Sequence, residues 1–293
     1  MHAPNLSLDS GKPELSIPLL YKITQWTLLS IVIAVSLFFL YGHAFSDIRW
    51  DEGYAQAGCT RTNTCFCEFD NRDSFCRQRS NAWSSLGFTY AGTWMLFDIT
   101  RCLSQDCSIS LQLLNMLMMS IISILLGIGS YLYHATLTLW GERLDGAGMH
   151  FIGVYLAIFT LSRMFNLFSQ KLKKKSNVHL IFAIVFYPAF IAISIAVIIV
   201  ERWGKLTWVM IGINIGIVFI IEPINCAIEK KRISNYYLLA ASCFAASFLI
   251  WNLDRSDFLC YPHSWFQGHA VWHLGLAVSV YALYQLYSKY DHE

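Results

Sequence analysis

Two short stretches hold the residues best suited to chemistry: Ser130-Tyr-Leu-Tyr-His134, with Asp145 eleven residues further on, and His269-Ala-Val-Trp-His273. Each lies at the end of a long apolar segment, where an ionisable side chain is costly and usually functional. Ser130 and His134 are four apart, and so are His269 and His273. On a helix that spacing sets both members of a pair on one face, a turn apart. Three imidazoles with a hydroxyl and a carboxylate form the donor set of a catalytic zinc ion. They supply three ligands, a position left for water, and outer groups that orient it. The expected chemistry is hydrolysis within a membrane. No His-Glu-x-x-His run occurs, which excludes the usual metalloprotease helix.

Taken singly, these residues have plainer explanations. His134 suits an interfacial helix end, Ser130 in Gly127-Ile-Gly-Ser130 suits helix packing, and Asp145 suits a helix dipole. His150 reads as a packing residue or an outer neighbour of the site, and Glu222 before Pro223 as a helix end. It is the combination that argues for a site.

The elements that must position these residues are membrane helices. The chain has 293 residues, of which 56% are hydrophobic and 14% charged, against about 25% charged in soluble domains. Its mean hydropathy is +0.46. This is the composition of an integral, multi-pass membrane protein. A net charge of +2 gives no footing for nucleic acid.

Residues 1–16 read as a disordered tail, 17–42 as an uncleaved transmembrane anchor, and 43–80 as a cysteine-rich loop. Seven apolar segments follow within 81–288, at about 81–100, 109–134, 145–168, 179–200, 206–225, 236–253 and 269–287. Continuous apolar runs that span lipid must be helices, since no other open structure satisfies the backbone there. The expected fold is all-α: a seven-transmembrane-helix bundle with one additional N-terminal transmembrane helix.

Basic residues set the orientation. Lys171, Lys173, Lys174 and Lys175 fall in one short loop, and Lys230, Lys231 and Arg232 in another. Those loops are expected to face the cytosol, with the cysteine loop and the loop at 138–143 on the other side. His134, Asp145 and His269 then fall at similar depth near the non-cytosolic face. Cys59, Cys65, Cys67 and Cys76 cluster in the outer loop. The Cys-x-Cys run suits a metal site, although such a cluster outside the cytosol more often means disulfides.

These residues resemble a known family. Gly129 to Asp145 is similar to the alkaline ceramidase pattern of a Ser, a His four later and an Asp eleven after that. His269-Ala-Val-Trp-His273 resembles the family's second motif at the start of the last helix. Trp251-Asn-Leu-Asp254 and Cys260 are similar to the segment that precedes it. Cys67-Glu68 and Asn81-Ala-Trp-Ser-Ser-Leu86 resemble the motifs around the first core helix. The superfamily also includes progestin/adiponectin-type receptors and hydrolases that remodel lipid anchors.

The resemblance implies a zinc amidase that splits ceramide, or a related N-acyl lipid drawn from the membrane, into a sphingoid base and a fatty acid. It implies His134, His269 and His273 as zinc ligands, Ser130 and Asp145 as catalytic residues, and a Cys67–Cys260 disulfide. It points to the endoplasmic reticulum or Golgi in a eukaryote and the inner membrane in a bacterium. The animal members' calcium site is matched here by Glu68 and Asp70. Cys65 and Gln78 stand where acidic ligands are expected, and Cys59, Cys65 and Cys76 are candidates for a further bridge. An acyl-ester hydrolase, a receptor without turnover and a structural metal site are the competing readings.

Overall fold

The computed structural model describes residues 66–103, 111–171 and 205–289, with isolated positions outside those runs. The tail, and all but isolated positions of the anchor and of the apolar segment 179–200, therefore lie outside the described residues, as do Cys59 and Cys65. Every regular element in the described runs is a helix: α1 (Arg79–Leu103), α2 (Leu111–Thr136), α3 (Leu139–Lys171), α4 (Lys205–Glu229), α5 (Asn235–Arg255) and α6 (Gly268–Tyr287). Six of the seven core segments are thus helical. Four helices, α2 to α5, are long and apolar enough to cross a bilayer. Ile121, Leu125, Val209, Ile213, Ile220 and Leu249 stand exposed on α2, α4 and α5, a surface suited to acyl chains rather than water.

Two sequence boundaries need correcting. The segment expected to begin near Asp145 starts at Leu139, so the loop placed at 138–143 is mostly helix. The reversal is made by Leu137, whose φ of 47° lets α3 follow α2 almost at once. Its left-handed backbone costs on the order of 1 kcal/mol and is offset by burial against Tyr133 and Phe66. Gly148 lets the two helices cross closely, since a Cβ there would lie 2.9 Å from the Leu126 Cα.

The second correction concerns Glu222, which is not at a helix end. Pro223 sits inside α4, which runs on to Glu229. Proline has no N–H for the Phe219 carbonyl, and the Tyr237 hydroxyl of α5 donates to that oxygen instead, at 2.6 Å. Glu222 is fully buried and paired with Arg163 of α3, which also holds Glu229 at 2.6 Å.

The segment before α1 closes the site end of the bundle. Arg77 and Gln78 donate their backbone N–H groups to the carbonyls of Ala135 and His134, each at 3.0 Å. Those carbonyls belong to the last turn of α2, where helical partners run out. The Cys67–Cys260 disulfide, with Cα atoms 5.4 Å apart, ties this segment to the α5–α6 loop. The Phe69 N–H bonds the Pro262 carbonyl beside it at 2.9 Å. Cys76 is a free, buried thiol and makes no bridge; burial pushes it up to about 12, so it stays protonated and inert.

Candidate metal centre and cavity

Two of the helices that open at the site, α1 and α6, are capped by carboxylates from elsewhere in the chain. Glu68 accepts from the N–H groups of Ser80 and Asn81 at 2.7 and 2.8 Å, the orphan donors of α1. Asp254, at the end of α5, accepts from the Gly268 N–H of α6 at 2.9 Å. Only glycine fits at 268, because a Cβ there would lie 2.3 Å from the Asp254 Cβ. These caps fix where α6 begins, and His269 is its next residue.

His134 of α2 and His269 and His273 of α6 come together. All three are buried, and one ligand atom from each lies within 4.8 Å of the others. The Nε2 atoms of His134 and His269 are 3.3 Å apart. Residues 135 positions apart thus meet at a single point.

Hydrogen bonds set the tautomers. The Gln78 amide donates through Nε2 to the Glu68 carbonyl at 3.2 Å, which leaves its Oε1 to face His134 Nδ1 at 2.8 Å. His134 must then donate from Nδ1, and its Nε2 lone pair points into the cluster. His273 Nδ1 lies 3.1 Å from the Asn81 carbonyl, which can only accept, and 3.0 Å from Ser84 Oγ. Its Nε2 is freed in the same way. Lone pairs directed at a common centre by outer hydrogen bonds are the arrangement a bound divalent metal requires. The donor set therefore fits a divalent metal ion, zinc among them. His269 Nδ1 has no hydrogen-bond partner among the described residues.

A cavity of about 490 Å³ adjoins the histidines, within the range of small-molecule sites. His269, His273, Ser130 and Asp145 share its wall with seven aromatic side chains, Phe66, Phe88, Tyr133, Phe244, Phe248, Trp251 and Trp272. The Ser130 hydroxyl is buried beside the Asp145 carboxyl and makes no hydrogen bond of normal geometry among the described residues. His150 is buried elsewhere on α3, with neither ring nitrogen bonded among the described residues and no place in the cavity wall.

The carboxylates matched to calcium are occupied. Both oxygens of Glu68 cap α1, and burial pushes its carboxyl up to about 7 despite the amides that pull it down. Asp70 receives Arg77 Nε at 2.7 Å and Nη2 at 2.6 Å, while Arg77 Nη1 reaches the Thr136 carbonyl at 3.2 Å. The buried guanidinium supplies the positive charge at Asp70, and these residues do not fit a calcium ion. Chelating calcium is expected to leave both activity and melting temperature unchanged. Arg77→Leu, by contrast, should destabilise the fold by about 3 kcal/mol, the low end for breaking a buried pair because Asp70 is partly exposed. Thermal melts with and without a calcium chelator check both.

Gln78, Asn81 and Ser84 carry no role that the sequence alone assigns. Gln78 stands out there only as a departure from an acidic position, and Asn81 acts through its backbone, which no side-chain pattern reveals. The family model for ceramidases matches residues 61–293, most of the chain and all of the site. The chain belongs to the ceramidase family. No curated protein matches it. Ceramidase membership implies a hydrolase that acts on the amide bond of ceramide-type lipids.

Proposed function

We propose that this ceramidase is a multi-pass membrane amidase that holds zinc on His134, His269 and His273 and cleaves the N-acyl bond of ceramide. The products are a sphingoid base and a free fatty acid. The observation that carries this reading is the convergence of three buried imidazoles in the wall of an apolar cavity that also contains Ser130 and Asp145. The Cys67–Cys260 disulfide at the same end supports a site near the non-cytosolic face, where disulfides persist.

When bound, zinc supplies a Lewis acid and a water whose pKa falls to about 7. The chain does the rest. The aromatic walls hold the acyl chains and exclude bulk water. Ser130 donates a hydrogen bond from its hydroxyl to the oxyanion that develops as the amide carbonyl is attacked, a contribution of about 3 kcal/mol for such a donor. Asp145 takes the proton of the attacking water and returns it to the departing amine. Gln78 and Asn81 keep two imidazoles in the tautomer that presents Nε2.

Purified protein offered ceramide, a phospholipid and an acylated lipid anchor is expected to release fatty acid from ceramide alone. Release from an ester substrate with ceramide untouched would assign it to lipid esters, and no release from any would favour a receptor. Gln78→Leu removes the acceptor that holds His134 Nδ1–H. It should weaken metal binding by about 10- to 100-fold, the usual cost of losing such an outer partner. Competition against a chromophoric zinc chelator measures that loss without reference to turnover.

A further inference from the structure

The cavity wall contributed by α5 has an order of its own. Phe244, Phe248, Trp251 and Arg255 line it at intervals of four, three and four residues, a single helical face. The face is aromatic for three positions and ends in a guanidinium. Asp145 contributes the one carboxyl group and Arg255 the one guanidinium in the lining. Arg255 is exposed at the last residue of α5, and no carboxylate among the described residues forms an ion pair with it, the pairs there being those of Arg72, Arg77 and Arg163. Its backbone is held in place nonetheless, because the neighbouring Asp254 caps α6 and Trp251, one turn below, stacks on Trp272 with ring centroids 5.4 Å apart.

An apolar channel that ends in a guanidinium with no ion-paired carboxylate among the described residues is complementary to an amphiphilic anion. Guanidinium pairs with carboxylate or phosphate through two parallel hydrogen bonds. If the amidase reading above holds, the reaction itself makes such a molecule. Water adds across the amide bond, the nitrogen leaves as an amine, and the acyl carbon leaves as a carboxylate in a cavity that already contains Asp145. We infer that Arg255 is an anion-binding subsite at the cavity mouth that receives the carboxylate of the released fatty acid. The subsite draws the product away from Asp145 and makes the fatty acid an inhibitor that competes for the cavity.

Binding tests this without turnover, so its failure leaves the amidase reading standing, and failure of that reading shows separately in the ceramide assay. The fluorescent fatty acid cis-parinaric acid is titrated into the full-length protein in detergent micelles. Arg255→Gln should weaken its binding by about tenfold, as expected for one charge-assisted contact. Arg255→Lys should restore most of the affinity. Hexadecanol, an uncharged tail, should displace the probe equally well from wild type and Arg255→Gln. Unchanged parinarate binding in Arg255→Gln overturns the inference, and so does an equal loss of alcohol binding, which would mean only a damaged pocket. Ceramide 1-phosphate and ceramide form a second pair of competitors. If the variant stops sensing the phosphate but binds parinarate as before, Arg255 is a headgroup site and the product assignment fails.

Discussion

His269→Ala is expected to yield a folded protein with no bound metal and no measurable ceramide hydrolysis. The fold should survive because His269 Nδ1 has no hydrogen-bond partner among the described residues to orphan. The cap from Asp254 to Gly268 and the Cys67–Cys260 bridge, which set the start of α6, both remain. What is lost is one of three ligand atoms. Two imidazoles, His134 and His273, are a poor site for a metal that normally takes three protein ligands and water. Without it, water keeps a pKa near 15.7 instead of about 7, so the rate on ceramide should fall by at least about a thousandfold. Elemental analysis of the purified protein, a product assay and a melting curve give the three readings. Normal hydrolysis by a metal-free His269→Ala protein would sink the zinc reading.

The same residues show how far a sequence can be read. His134, His269 and His273 are legible because two of them sit a turn apart and because helix topology brings their segment ends to one depth. Neither signal needs knowledge of packing. The outer partners are hidden for a physical reason. Gln78 lies in a loop without periodicity, and the Asn81 carbonyl that faces His273 is a backbone atom any residue could present. Arg77 reads as an ordinary loop charge, and only the folded chain shows it buried against Asp70 and the end of α2.

The misplaced boundaries have causes as particular. Leu139 to Leu144 carries Gly141, Glu142 and Arg143 and lacks an apolar run, yet it is helical because Gly141 packs against Tyr133 across the short turn, where a Cβ would lie 2.9 Å from the Tyr133 Cα. A proline at 223 signals a break in local terms. Tyr237, distant in sequence, relieves the freed carbonyl and lets α4 continue. In both cases a tertiary contact overrides a local preference, and such contacts are invisible in a window of sequence.

Asp145→Asn separates chemistry from assembly. Asparagine keeps the size of the side chain beside Ser130 but cannot accept a proton from water. The expected result is a fall in kcat of about 10²- to 10⁴-fold, the range for a lost general acid–base group. KM and metal content should stay near wild type, since Asp145 is not one of the three histidines proposed to hold the metal. Ser130→Ala should cost about 10²- to 10³-fold, as for a lost oxyanion donor. If the two groups serve one transition state, the double variant should lose less than the product of the two single losses. Initial rates on ceramide in mixed micelles, with metal content measured on the same samples, distinguish the cases. Loss of metal along with activity would move Asp145 from proton transfer to the support of the histidine cluster, and a wild-type kcat would remove it from the reaction altogether.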